Sequence, residues 1–285
     1  MHIFPQAEHF DVDYDYVLID PNLNANYIEE VEDKLVSLAP DYANDIAHVF
    51  PYLLRLNTVD KALFDEIQDH DIQQIKQGFS PFFLFYFKSF PTREPDIVKH
   101  LKQCLVYESD GKKYLYRFYD PRIWMILNYK FSSDFFWLNK YFQDVKFGFL
   151  GNLFYFKNMD RTDFQKNIDF QLLERIGIFN RTVDLLNEKN TDLNVYFLKV
   201  EEIFKNIEIL ESKKIYEKDD LITALFHIDL IGKNYIETSF FTNLGQHKKG
   251  YEQASKLLPT KDWEEFFLNN KVFDENLKNK VMYGY

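Results

Sequence analysis

The chain has 285 residues, of which 46% are hydrophobic and 28% charged, so it can bury a sizeable core in one large domain or two modest ones. Its formal net charge is −11 and it has no basic cluster, which makes nucleic acid a poor candidate for its main partner. Cys104 is the only cysteine, which excludes an intrachain disulfide and a cysteine-based zinc site.

The first residues, MHIFPQAEHFDVDYDY, are acidic and contain neither the basic nor the apolar stretch of a secretory leader. The longest aromatic runs, at 82–87 and 147–156, are shorter than the roughly 20 apolar residues that a membrane-spanning helix needs. We therefore expect a soluble, cytoplasmic protein with no membrane partner.

Strand-like and helical patterns alternate through the first half of the chain. Short apolar runs predict strands at Tyr16–Asp20, Phe50–Leu56 and Phe82–Phe87. Helical patterns occupy Asn24–Leu38, Thr58–Ile75 and Pro95–Cys104. Asp110-Gly111 is a strong turn signal and predicts a hairpin between Leu105–Glu108 and Tyr114–Tyr119. We expect residues 1–157 to form an α/β domain, a mixed sheet with covering helices.

From about Asp163 the apolar residues follow a helical period. Three groups step by three or four positions: Phe164, Ile168, Leu172, Ile176, Phe179, Val183 and Leu186; Phe197, Val200, Phe204 and Ile207; and Leu221, Leu225 and Ile228. Thr260, followed by acidic residues, indicates another helix start. We expect residues 158–285 to form an all-helical lobe.

Two strand-like runs end in Asp-Pro, at Asp20 and at Asp120. Proline cannot continue a strand ladder, so each aspartate is expected at the carboxyl end of a strand, and parallel strands would bring both to one sheet edge. One hypothesis is a carboxylate pair for acid–base or metal chemistry. Because Arg117 and Arg122 flank Asp120, we prefer a structural charge network of these four residues.

Motifs of the major enzyme classes are missing from the sequence. The histidines form no metal-binding helix motif, and there is no nucleophile elbow, phosphate loop or dinucleotide fingerprint. His9 with Asp11, Asp13 and Asp15 lacks the glycine and the final glutamate of a calcium loop. The sequence thus predicts no metal, no cofactor and no enzymatic activity. The alternative is a hydrolase that uses Asp20, Asp120 and His100 at the sheet edge.

Four segments of the first half occur in a distinctive order: YVLIDP at Tyr16–Pro21, PYLLRL at Pro51–Leu56, His100-Leu101-Lys102, and YLYRFYDPR at Tyr114–Arg122. In this order they resemble the N-terminal domain of type VI secretion effector chaperones, also called adaptors (the Tap family). The resemblance implies a chaperone that binds a cognate effector, a secreted toxin, and helps to mount it on the secretion spike, with the spike protein as a second partner. It supplies no catalytic residue, and the second half carries no such motif.

A ring-rich stretch lies at the junction of the two halves. The chain contains 30 Phe and 19 Tyr residues, and aromatic side chains are favoured anchors of protein interfaces. We predict that a partner binds in a cleft between the lobes, on the junction residues Phe147, Phe149, Phe154, Tyr155 and Phe156. The alternative for these rings is core packing between the lobes. A structural component of the secretion apparatus is a further alternative for the whole chain.

Overall fold

The computed structural model describes residues 14–20, 27–109, 111–131, 141–157, 170–186, 192–270 and 280–281. The chain divides into two compact units. The first unit comprises Met1–Asn167 with Asn190–Leu193, and the second comprises Ile168–Lys189 with Asn194–Tyr285.

The first unit is built on a six-stranded sheet with the order β2-β3-β1-β4-β7-β8, and every strand pair described in it is antiparallel. A separate two-stranded sheet pairs β5 with β6. The strands are β1 (Tyr16–Ile19), β2 (Leu35–Ser37), β3 (Tyr52–Arg55), β4 (Phe85–Ser89), β5 (Val106–Ser109), β6 (Lys112–Leu115), β7 (Phe142–Phe149) and β8 (Asn152–Lys157). The helices are α1 (Ile28–Val31), α2 (Lys61–Lys76), α3 (Glu94–Cys104) and α4 (Pro121–Phe131).

The centre of this sheet is apolar on both faces. All four residues of β1 are buried, and so is the whole run Phe82–Phe87 that leads into β4. Continuous apolar runs of this kind form strands that are covered on both sides. On one face, Phe64 and Ile67 of α2 pack against Val17 of β1. The predicted sheet with covering helices is confirmed, although its strands are antiparallel rather than mixed.

The predicted helix over Asn24–Leu38 is wrong. The described part of this segment has only the single turn α1, a 3-10 turn at Glu32–Lys34 and then strand β2, while Asn24 lies outside the described residues. The tertiary reason is strand pairing, because Leu35 pairs with Leu54 at the edge of the sheet. Pairing with a formed strand overrides a local helical pattern.

The Tyr114–Tyr119 segment differs from its prediction in the same way. Strand β6 ends at Leu115, and the chain then runs through a loop to Asp120 before α4 begins at Pro121. Residue Asp110 of the predicted turn lies outside the described residues. Strand β6 belongs to the separate two-stranded sheet and does not pair with β1, so the parallel arrangement considered for the two Asp-Pro ends does not occur.

The ring-rich stretch forms a β-hairpin. Strands β7 and β8 are joined by Leu150 and Gly151, whose φ angles of 46° and 76° are both positive. A two-residue turn with positive φ at both positions matches the twist of antiparallel strands. The hairpin therefore places the aromatic residues of β7 next to β4 and those of β8 at the edge of the sheet.

The second unit is helical throughout its described residues, as predicted. Its helices are α5 (Phe170–Leu186), α6 (Leu193–Ser212), α7 (Lys218–Ile231), α8 (Ser239–Gly245), α9 (Tyr251–Leu257) and α10 (Thr260–Asn269). The predicted core residues Leu221, Leu225 and Ile228 of α7 are buried, and α7 packs against α5 and α9. Of the predicted apolar residues, Phe164 and Ile168 lie outside the described part of the chain. No helix in the described ranges is both long and apolar enough to cross a membrane.

Candidate functional site

Asp20 follows β1 and is 2% exposed. Its Oδ2 accepts a hydrogen bond of 2.7 Å from Nη2 of Arg117, whose side chain is 44% exposed. Tyr119, two residues after Arg117, is buried. Burial raises the pKa of Tyr119 to about 12, although the positive charge of Arg117 lowers it. A charged hydrogen bond of this length neutralises a carboxylate that water does not reach.

Asp120 begins helix α4 instead of ending a strand. Its Oδ1 accepts the backbone N–H of Arg122 at 2.9 Å, and its main-chain oxygen accepts the N–H of Ile123 and of Trp124. The Arg122 guanidinium also donates to both carboxylate oxygens, from Nε at 3.1 Å and from Nη2 at 2.8 Å. Pro121 suits the first helical position because the N–H it lacks would have no partner there. Asp120 thus caps the first turn of α4 and pairs with Arg122.

The two ion pairs lie close enough to influence each other. Partial burial disfavours the charge of Arg117, but Tyr119, Asp120 and Asp20 outweigh it and raise the Arg117 pKa. The structure therefore brings Asp20, Arg117, Asp120 and Arg122 into one cluster, which we call the charge cluster. Arg55, on β3, contacts Glu94 at 3.9 Å.

The hydrolase alternative requires Asp20, Asp120 and His100 to act together. Both carboxylates are engaged by arginines, and Nε2 of His100 lies 3.6 Å from Sγ of Cys104, with Tyr141 against its ring. Burial raises the pKa of the Cys104 thiol, which keeps it protonated at neutral pH. These partners support charge neutralisation and packing rather than acid–base chemistry. The described residues also contain no group of three His, Cys, Asp or Glu side chains placed to hold a metal ion.

The five predicted partner-binding rings have different surroundings. Phe147 and Phe154 are fully buried and Phe156 nearly so. Phe147 lies 4.8 Å from the ring of Phe85 and 5.7 Å from that of Phe156, both in the first unit. These three rings belong to the core of that unit and offer no surface. Tyr155, which is 39% exposed, and the half-buried Phe149 do offer surface.

Sequence reasoning missed Asp71, which is fully buried on α2. Its carboxylate accepts the backbone N–H groups of Phe82 at 2.6 Å and Phe83 at 3.0 Å. Burial raises the pKa of Asp71 to about 7, although both hydrogen bonds lower it. The signal was available, because Asp71 continues the core-facing stripe of Phe64, Ile67 and Ile75 at helical spacing.

A second missed group lies in the helical unit. His227 is 3% exposed, and its Nδ1 lies 2.9 Å from the hydroxyl of Tyr251, which lies 2.8 Å from the hydroxyl of Tyr235. Burial lowers the pKa of His227 to about 3, so the imidazole is neutral. The three side chains satisfy one another inside the core, and we assign them a structural role.

Each unit has a groove on its own surface. The groove of the first unit, here called the α3 groove, has a volume of about 750 Å³ between β2, the 3-10 segment Asp41–Val49, α3 and the β5–β6 hairpin. The groove of the second unit measures about 810 Å³ and is bounded by α8, α9 and α10. Its lining includes Phe240, which stacks on Phe266 at 4.6 Å, and Leu257, which is 62% exposed.

Comparison with known proteins finds a family match for part of the chain. A family model described as a domain of unknown function (DUF4123) matches residues 16–134, which is less than half of the chain. No curated protein and no solved structure matches. The matched region contains the four motifs YVLIDP, PYLLRL, HLK and YLYRFYDPR, together with the charge cluster and the α3 groove, and the helical second unit lies outside it.

Proposed function

We propose that this protein is a non-enzymatic adaptor, or chaperone, of a bacterial type VI secretion system. In the cytoplasm it binds a cognate toxic effector and helps to load it onto the secretion spike. The observation that carries the proposal is that the four motifs, in order, fall inside the region matched by the DUF4123 model, a family associated with type VI effector adaptors.

The contacts of the motif residues support a binding role. The charged residues of YVLIDP and YLYRFYDPR pair with each other, as Asp20 with Arg117 and Asp120 with Arg122. Such pairs hold a loop and a helix start in place without presenting a reactive group. The α3 groove is mainly apolar, and the groove of the second unit combines apolar with polar side chains. Both are the kind of surface that protein partners occupy.

The two units suggest a division of labour. The DUF4123 match ends at residue 134, before the helical unit, so the first unit is the candidate for a contact common to such adaptors. The helical unit, with its own groove around Phe240 and Leu257, is the candidate for recognising one particular effector. Exchanging residues 168–285 for those of a related adaptor should then change which effector is bound.

Deleting the gene in its source bacterium tests the proposal. We take as the candidate effector a toxin encoded in a gene next to this one. We expect it to disappear from the secreted fraction, and plasmid-borne wild type to restore it. An unrelated effector of the same apparatus should still be secreted. Loss of all effectors together would instead indicate a structural component, and unchanged secretion of the neighbouring toxin would contradict the adaptor role.

A further inference from the structure

The α3 groove has an apolar floor inside the region that matches DUF4123. Edge strand β2 contributes Val36, helix α3 contributes Pro95 and Val98, and the β5–β6 hairpin contributes Val106. The ring of Tyr42 stands at the rim and is 58% exposed. A solvent-facing tyrosine beside half-buried valine side chains is the composition of a protein-binding surface.

The rim of the α3 groove differs in charge from the rest of the protein. Its ionisable residues are three lysines, Lys99, Lys102 and Lys113, and two acids, Asp41 and Glu94. Arg55 lies 3.9 Å from Glu94 and offsets that carboxylate. The rim is therefore locally positive in a chain whose formal net charge is −11.

The contacts of the three lysines leave their positive charges available to interact with a partner. Lys99 is exposed and enters no ion pair among the described residues. Lys102 pairs at 3.3 Å with Asp41, whose side chain is 97% exposed, so water competes strongly for both groups. Lys113 Nζ lies 3.9 Å above the centre of the Tyr42 ring, which holds a positive charge directly over an exposed apolar surface.

We infer that the α3 groove binds a short segment of the effector that carries apolar side chains flanked by carboxylates. This inference rests on the proposed function. The apolar floor supplies the affinity, because exposed ion pairs contribute little to it. The lysines supply orientation, because the rim of the groove is locally positive and attracts carboxylates, whereas the chain as a whole carries a formal net charge of −11.

Photocrosslinking of the intact complex tests this assignment. Val98 is replaced with p-benzoylphenylalanine in the tagged full chain, and the toxin encoded beside the gene is co-expressed. We expect a crosslink to one effector peptide, identified by mass spectrometry, that contains apolar residues with Asp or Glu on at least one side. The same amino acid at Lys61, on α2 outside the groove, should give no such crosslink.

The crosslinked segment is then made as a labelled peptide and titrated against charge variants. The double variant Lys99→Glu/Lys113→Glu should bind it at least tenfold more weakly than wild type. The control Lys61→Glu/Lys76→Glu carries the same charge change on α2 and should bind normally. Circular dichroism and thermal melting should show that both variants are folded.

The outcomes separate this inference from the proposed function. A complex that forms without any crosslink from position 98 overturns the groove assignment and leaves the adaptor proposal standing. The same holds if the crosslinked segment is basic, or if the crosslink joins two copies of this chain. If the toxin does not co-purify at all, both proposals fail.

Discussion

Nη2 of Arg117 lies 2.7 Å from Oδ2 of Asp20 and joins residues 97 positions apart in the chain. The bond ties the loop after β6 to the end of the first strand of the main sheet. Asp20 is 2% exposed, whereas the Arg117 side chain is 44% exposed. Removing the arginine therefore leaves a buried charge, while removing the aspartate leaves a group that water can reach.

The difference between buried carboxylates and partly exposed arginines predicts how much each substitution in the charge cluster destabilises the protein. Arg117→Ala should lower the free energy of unfolding by about 3 kcal/mol, because it leaves the Asp20 carboxylate buried without this partner. Asp120→Ala should cost about 1 kcal/mol, the usual value of a lost helix cap, since Arg122 is partly exposed and can turn to water. Urea unfolding of both variants measures the difference.

Arg117→Lys is the matched control for the first variant. It keeps a positive charge but loses the fixed fork of donors, so its stability should lie between those of wild type and Arg117→Ala. If Arg117→Ala unfolds like wild type while a catalytic activity is lost, the structural interpretation of the cluster is contradicted.

The buried Asp71 predicts a pH dependence of the first unit. The pKa of Asp71 is raised to about 7 in the folded state, against about 3.9 when unfolded, so between these values the folded state binds more protons. The contribution of Asp71 to the free energy of unfolding therefore falls as pH rises from 4 to 7. Asp71→Asn removes this titration but leaves one backbone N–H poorly satisfied, which costs about 1–3 kcal/mol at low pH.

Urea unfolding at pH 5 and pH 8 checks the Asp71 prediction. The stability difference between wild type and Asp71→Asn should be smaller at pH 8 than at pH 5. Equal differences at pH 5 and pH 8 would mean that the two backbone hydrogen bonds keep the folded-state carboxylate ionised, and would contradict the raised pKa.

His227 predicts the opposite pH dependence in the second unit. Its folded-state pKa is lowered to about 3, against about 6.5 when unfolded, so in this window the unfolded state binds more protons. Stability is therefore lost as pH falls below 6.5, by about 2 kcal/mol on reaching pH 5. Hydrogen exchange of α7 should show this loss in wild type and a smaller one in His227→Phe; equal losses would contradict the assignment.

Two glycines form a matched pair for testing the packing. A Cβ at Gly148 on β7 would lie 2.3 Å from Cδ1 and 2.5 Å from Cγ1 of the buried Ile75, so Gly148→Ala should destabilise by about 1–3 kcal/mol. Gly177, inside α5, has nothing within 4 Å of a built Cβ, so Gly177→Ala should be neutral or stabilise by up to about 1 kcal/mol. Thermal melting distinguishes the two. A stable Gly148→Ala variant would show that Ile75 can move aside.

A fifth experiment distinguishes buried from exposed residues of the ring-rich hairpin. Phe154→Ala should destabilise the first unit by about 3–5 kcal/mol, because the ring is fully buried. Tyr155→Ala, next to it on β8, should leave stability unchanged and weaken effector binding, since its ring is 39% exposed. If a folded Tyr155→Ala variant binds the effector normally, the hairpin does not contribute to effector binding.

Local sequence patterns predicted the types of most elements but not their pairing. The apolar runs at Tyr16–Asp20 and Phe82–Phe87 predict buried strands. The helical period of the second half predicts its helices without any information on tertiary contacts. Antiparallel pairing of β1 with β4 and the short edge strand β2 depend on contacts between distant residues. The turn at Leu150-Gly151 was missed because its first position carries a leucine with positive φ, which has no turn signature.

The candidate sites show the same division. Their chemistry identifies the four residues of the charge cluster in the sequence. The Asp-Pro pattern, however, predicts a strand end at Asp120, where the structure has a helix start. The α3 groove was not predicted, since its lining comes from four separate elements and no single segment carries it.

Calorimetric titration of the purified full chain with the toxin encoded beside its gene tests the adaptor role most directly. The account predicts saturable binding at a fixed stoichiometry, persistence of most of the affinity at high salt, and recovery of both proteins with unchanged mass. Absence of binding, or cleavage or chemical modification of the toxin by this chain, would contradict it.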